Sequence, residues 1–181
     1  MRIRILMNLA KLESTLVART TRTYCVLEGA SVPDLPAKLY EFDPPHFPLI
    51  GGELTPDMVH VVPYVALLVP TESFTTWVLE NFFGKNWGIF VHTRYSIYEM
   101  RRHFRSLIQV TDEEGRPMLF RFYDPRVIRD FLPTCDEEQI EAFFGNVDSY
   151  FSEAAEGDVL IEFGRSGGEL TKKEIDLADK E

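Results

Sequence analysis

Apolar residues recur at helical spacing near the start of the chain, at Ile5, Leu9, Leu12 and Leu16, and predict a helix over residues 5–19. TYCVLE, residues 23–28, is β-prone and ends at Gly29 and Ala30. A short helix is expected from Asp34 to Phe42, with Pro36 confining its start to the neighbourhood of Asp34. DPPHFPL, residues 43–49, reads as extended or turn-like. PYVALLV, from Pro63, is almost continuously apolar, the signature of a strand buried on both faces. Pro70 ends it, and Thr71 or Ser73 can cap a helix carrying Phe74, Trp77, Val78 and Phe82. Gly84–Asn86 reads as a turn and Trp87–Val91 as another apolar strand.

Ser96 followed three residues on by Glu99 has capping-box spacing, so a second long helix begins there. Ile97, Met100, Phe104 and Leu107 share one side of it; Arg101, Arg102 and Arg105 share another. Ile108–Thr111, DEEG and Arg116–Phe122 read as strand, turn and strand. Asp124 then precedes Pro125, an N-cap with proline at the first helical position. That helix stops before Pro133. Thr134, with Glu137 three residues on, is expected to cap the next, and Gly145 to end it. DVLIEF, residues 158–163, reads as a last strand, and the polar chain after Gly164 as a frayed tail. The alternation of strands and helices predicts a single-domain α/β fold with a mixed β-sheet and flanking helices.

The 181 residues are 45% hydrophobic, enough for one core. The formal net charge of −10 is uneven. Residues 1–22 carry Arg2, Arg4, Lys11, Arg19 and Arg22 against Glu13, while residues 146–181 are strongly acidic. The overall sign argues against a nucleic-acid partner, which needs a positive footprint; Arg94–Arg129, with eight arginines, is the local exception. Cys25 and Cys135 fit neither a metal nor a redox spacing, and no signal peptide or membrane span is read, so a reducing, cytoplasmic setting is expected.

No phosphate-loop, dinucleotide, zinc-protease or nucleophile-elbow pattern occurs; IGGE and GRSGGE lack the strand–loop–helix order that would cradle phosphate. His46, His60, His92 and His103 are scattered, so no metal or cofactor is expected. Cys25 reads as a buried hydrophobe. The densest chemistry is RFYDPRVIRDFLPT, residues 121–134. Strand alternation would place Arg121 and Tyr123 on one face and Phe120 and Phe122 on the other. Asp124, Glu113 or Glu114 could pair with Arg126. Three readings stay open: a salt-bridge and capping network that fixes the turn, a contact surface using the same groups, or a catalytic cluster. A cluster of Arg94, Tyr95, Arg121, Tyr123, Asp124 and Arg126 is the candidate partner-binding site. A pocket joining His92, Asp124 and an arginine would instead suit a small hydrolase.

LFRFYDPRVIRDFLPT resembles the signature of the type VI secretion effector-chaperone, or adaptor, family, long filed as a bacterial domain of unknown function. YCVLEGA (24–30), PYVALL (63–68), residues 87–127 and CDEEQIEAFFG (135–145) resemble further parts of that family in order. The resemblance spans residues 23–150, between a basic helical segment at 1–22 and, at 151–181, a short strand with an acidic, flexible tail. It implies a non-enzymatic protein that binds a secreted effector and helps load it onto a spike protein. Many members carry a longer helical C-terminal lobe; here about thirty residues follow the closing helix, so partner choice is expected to rest on the matching domain, the basic N-terminus or the acidic tail. A protein-binding module unrelated to secretion is the alternative.

Overall fold

The computed structural model describes residues 8–17, 20–156 and 158–178. Its elements are α1 (Leu9–Leu16), β1 (Arg22–Glu28), α2 (Leu35–Phe42), β2 (His46–Pro48), β3 (Pro63–Leu68), α3 (Ser73–Asn81), β4 (Gly88–Thr93) and α4 (Ile97–Ile108). There follow β5 (Gln109–Thr111), β6 (Pro117–Leu119), α5 (Pro125–Phe131), α6 (Glu137–Phe144), β7 (Ser149–Glu153), β8 (Val159–Ser166) and β9 (Glu169–Asp176). Seven strands form one sheet in the order β2-β3-β1-β4-β7-β8-β9, and β5 and β6 form a separate hairpin.

The expected α/β class, flanking helices and single domain are what the chain forms. The sheet differs from the mixed one expected, because every strand pairing is antiparallel. The α3 crossover joins β3 and β4, which point the same way, but β1 lies between them and runs opposite to both. A strand–helix–strand rhythm alone does not reveal that insertion.

The interior strand β1 explains the three layers. In β1, Cys25 and Leu27 face a core shared with Leu12 and Leu16 of α1, Leu35 and Leu39 of α2, and Phe74 and Val78 of α3. Tyr24 and Val26 face the other core, with Met100, Phe104 and Ile108 of α4, Ile128 of α5, and Phe143 and Phe144 of α6. Strand alternation thus sends successive side chains into two separate helical layers. Burial of both faces makes β3 read as an almost unbroken apolar run and gives β1 its apolar centre, Tyr24 to Leu27.

Local signals place most helix starts. Ser96 and Glu99 form the expected capping box on α4. On α6 the box belongs to Asp136 and Gln139, while Thr134 donates its hydroxyl to the Phe131 carbonyl at 2.7 Å. The helix with Phe74 begins after Glu72, with no side-chain cap. Asn8 caps α1 through Lys11 N–H at 2.8 Å; the part of the expected first helix before residue 8 lies outside the described residues.

Two expectations change. The hairpin ends at Leu119, because Phe120 and Phe122 turn inward toward α5 and α6. The segment expected to fray after Gly164 is a strand: β8 and β9 pair from Val159↔Asp176 to Ser166↔Glu169. Gly167 and Gly168, at φ 60° and 87°, supply the two-residue turn that a tight hairpin needs. Leu170 and Ile175 pack against the two cores, which anchors an otherwise polar edge strand. Among the described residues, no helix is long and apolar enough to cross a membrane.

Candidate functional site

β1 leaves the sheet at Glu28, and the next residues reverse direction in a tight turn. Val32 and Ser31 donate their backbone N–H groups to the Glu28 carbonyl, and Gly29 donates to the Val62 carbonyl at 3.1 Å. A side chain at Gly29 would lie 2.6 Å from that Val62 oxygen, so the approach requires glycine. The turn fixes the Glu28 carboxylate, which accepts from the Ser31 hydroxyl at 2.6 Å.

The second wall comes from residues 121–126. Asp124 is the N-cap of α5 and Pro125 its first residue. The Asp124 carboxylate accepts the Arg126 backbone N–H at 2.9 Å and takes the Arg126 guanidinium in a two-point fork at 2.9 and 2.7 Å. Arg121 bridges the two walls. One terminal nitrogen lies 2.5 Å from Glu28 Oε2 and 3.4 Å from Asp124 Oδ2. Residues 93 positions apart are thereby tied by charge-assisted hydrogen bonds.

The carboxylates lie inside and the arginines outside. Asp124 is 6% exposed, whereas the Arg121 and Arg126 side chains are 44% and 60% exposed. Burial pushes Asp124 up, but the hydrogen bonds from Arg126 and the charges of Arg126 and Arg121 outweigh it and hold the carboxyl below its ordinary value. Tyr123 is 6% exposed and packs edge-on against Phe122. Burial, then the Glu28 carboxylate, pushes its phenol up to about 12, with Arg121 acting the other way. The shared outward face expected for Arg121 and Tyr123 is absent because residues 120–123 leave strand geometry.

Beside this network, Glu153 at the end of β7 accepts the backbone N–H groups of Gly84 and Asn86 and is 2% exposed. Burial outweighs those bonds and raises its pKa. Arg129 donates to the Glu153 carbonyl oxygen at 2.6 Å. α5 is thus tied at its start to β1 and in its last turn to β7.

Of the six candidate residues, the structure brings together Arg121, Tyr123, Asp124 and Arg126. Arg94 and Tyr95 are elsewhere. They follow β4, whose end pairs with the start of β1 (Arg22↔Thr93), whereas Glu28 is at the other end of β1. The length of β1 separates the two groups by roughly 20 Å. There the Arg94 carbonyl accepts from Arg22, and the Tyr95 carbonyl accepts from Tyr24 at 3.0 Å. His92 belongs to that end too. It lies 2.5 Å from the Leu16 carbonyl and edge-on to Phe151, so the pocket joining His92 to Asp124 does not form.

Glu28 is the residue that sequence reasoning missed. Its signal was the acid–Gly–Ala ending of the first strand, read as a strand stop and as part of the family resemblance but not as a site residue. For Arg126, three acids were possible partners. Asp124 takes the role, while Glu114 pairs with Arg116 at 3.0 Å in the hairpin turn.

Fold and site together define a three-layer α/β domain closed by an ionic latch between the first strand and the helix after the hairpin. The chain belongs to the family described as Domain of unknown function (DUF4123), whose model matches residues 23–142. That span begins within β1 and ends within α6, so it includes both walls of the latch. Neither a curated protein nor a solved structure matches the chain.

Proposed function

We propose that the protein is a non-enzymatic chaperone of the type VI secretion system that binds an effector and helps load it onto the spike protein. The observation that carries this reading is the ordered resemblance over residues 23–150. Two of its pieces, YCVLEGA and RFYDPR, meet through Glu28 and Arg121. A protein that holds a client without altering it needs a rigid frame and exposed anchors. The latch supplies rigidity, and the outer edges of Arg121 and Arg126 remain available to a partner. Tyr123 serves from behind, as a buried support for that arginine pair. The proposed setting is the cytoplasm, where loading precedes secretion.

The test is co-purification of the tagged chain from its native host, with the secretion system switched on and partners identified by mass spectrometry. A toxin-like protein together with a spike protein is the expected result. Arg126→Ala then sorts the roles: reduced capture by a normally folded variant assigns the latch arginines to the client surface, and undiminished capture assigns them to the frame. Specific capture of a partner with neither effector nor spike character would favour a binding module outside secretion.

A further inference from the structure

Helix α4 carries a second feature. Tyr98, Arg101, Arg102 and Arg105 fall at i, i+3, i+4 and i+7, a single stripe along the helix. The neighbouring stripe, Met100, Phe104 and Ile108, is buried. The four residues line a shallow depression of about 350 Å³. Among the described residues, none of the three arginines has a carboxylate within ion-pair distance. Glu99 is near Arg102, but its carboxylate is engaged by the Ser96 N–H and hydroxyl at 2.8 and 2.6 Å. In a chain of net charge −10, three unpaired arginines on one helix face stand out.

Two of the three pack against the protein. The Arg101 guanidinium stacks over the Phe47 ring at 4.9 Å, with its Nε 3.4 Å from the Pro48 carbonyl. Phe47 in turn contacts Tyr98, with ring centroids 5.2 Å apart. The Arg105 guanidinium lies against Gly51, in space that a side chain there would occupy. Guanidiniums held this way lose less freedom when a partner arrives. Tyr98 is 67% exposed and offers an apolar ring beside them.

We infer that this face of α4 is a docking surface for an acidic segment of a client protein, one carrying two or three carboxylates around an apolar or aromatic side chain; the client's identity as an effector rests on the adaptor reading above. Arg101 and Arg105 are one helical turn apart, roughly 6 Å along the axis. That spacing matches carboxylates on alternate residues of an extended segment or on successive turns of a helix. A long polyanion fits worse, because the negative charge of the whole chain opposes it beyond this short stripe.

The test uses the full chain and two fluorescein-labelled 12-residue peptides, one alternating Glu and Leu and one with Gln in place of every Glu. A 12-nucleotide uridine RNA is the third probe. The acidic peptide is expected to bind at low salt at least tenfold more tightly than the Gln peptide and the RNA. The triple variant Arg101→Glu, Arg102→Glu, Arg105→Glu is expected to lose about tenfold while remaining folded by circular dichroism. If the triple variant does not fold, Arg102→Glu alone serves, with a loss of about threefold. Equal affinity for the two peptides, or an undiminished variant, would overturn the proposal, as would tighter binding of the RNA through the same arginines. Co-purification from the host keeps the two claims apart. An effector captured equally by wild type and triple variant removes the surface and leaves the adaptor. Arginine-dependent peptide binding with no effector or spike protein captured leaves the surface and removes the adaptor.

Discussion

At the outgoing end of β1, Glu28 meets Arg121, which leans on a buried Asp124 that also holds Arg126. At the incoming end of the same strand, Arg22 and Tyr24 donate to the backbone carbonyls of Arg94 and Tyr95. Both ends sit beside a strand-to-helix junction and use arginine and tyrosine. The first encloses a carboxylate, Asp124, whose charge the arginines hold in place. The second ties backbone to side chain and leaves Arg94 itself in solvent, without an ion pair among the described residues. Similar composition therefore yields a frame at one end and a surface at the other, and burial of the acids decides which.

The contrast can be broken most sharply at Asp124. Asp124→Ala removes an N-cap and the carboxylate that two arginines share. A loss of about 2–4 kcal/mol in urea unfolding is expected, combining a cap with charge-assisted bonds. Glu28→Ala leaves Asp124 to hold Arg121 and is expected to cost about 1–2 kcal/mol. Arg94→Ala, at the open end, is expected to change stability by less than about 0.5 kcal/mol in the same measurement. A large loss at Arg94 would mean that the incoming end is latched as well.

Titration sharpens the comparison within the latched end. Asp124 has a folded pKa below its ordinary 3.8, so its contribution is present above that value and disappears as pH falls through the lower folded one. Glu153 behaves oppositely. Its folded pKa lies above the ordinary 4.5, so its contribution is greatest below that value and is lost as pH rises through the raised one. Urea unfolding followed from about pH 2 to about pH 7 should show both limbs. Asp124→Asn is expected to flatten the acidic limb and Glu153→Gln the limb above it.

Much of this was legible in sequence where the signal was local. The Ser96–Glu99 box, the Asp124–Pro125 start, the β-prone residues of β1 and the apolar run of β3 depend on neighbours a few residues apart. β9 escaped because its alternation is mostly polar; only the Gly167–Gly168 turn and the spaced Leu170 and Ile175 mark it. The latch was half legible. Asp124 with Arg126 is a contact two residues apart, whereas Glu28 with Arg121 depends on the fold's bringing the β1 exit beside the α5 start. Placing Arg94 and Tyr95 with them failed for the complementary reason: two strand-to-helix junctions look alike in sequence, and strand direction puts them at opposite ends of the sheet.

The most direct measurement is a double-mutant cycle on Glu28→Ala and Arg121→Ala, read by urea unfolding of the full chain. A latch requires the two losses to be non-additive, with a coupling of about 1 kcal/mol, since each residue loses its meaning without the other. Additive losses would contradict the account and reduce Glu28 and Arg121 to two independent groups.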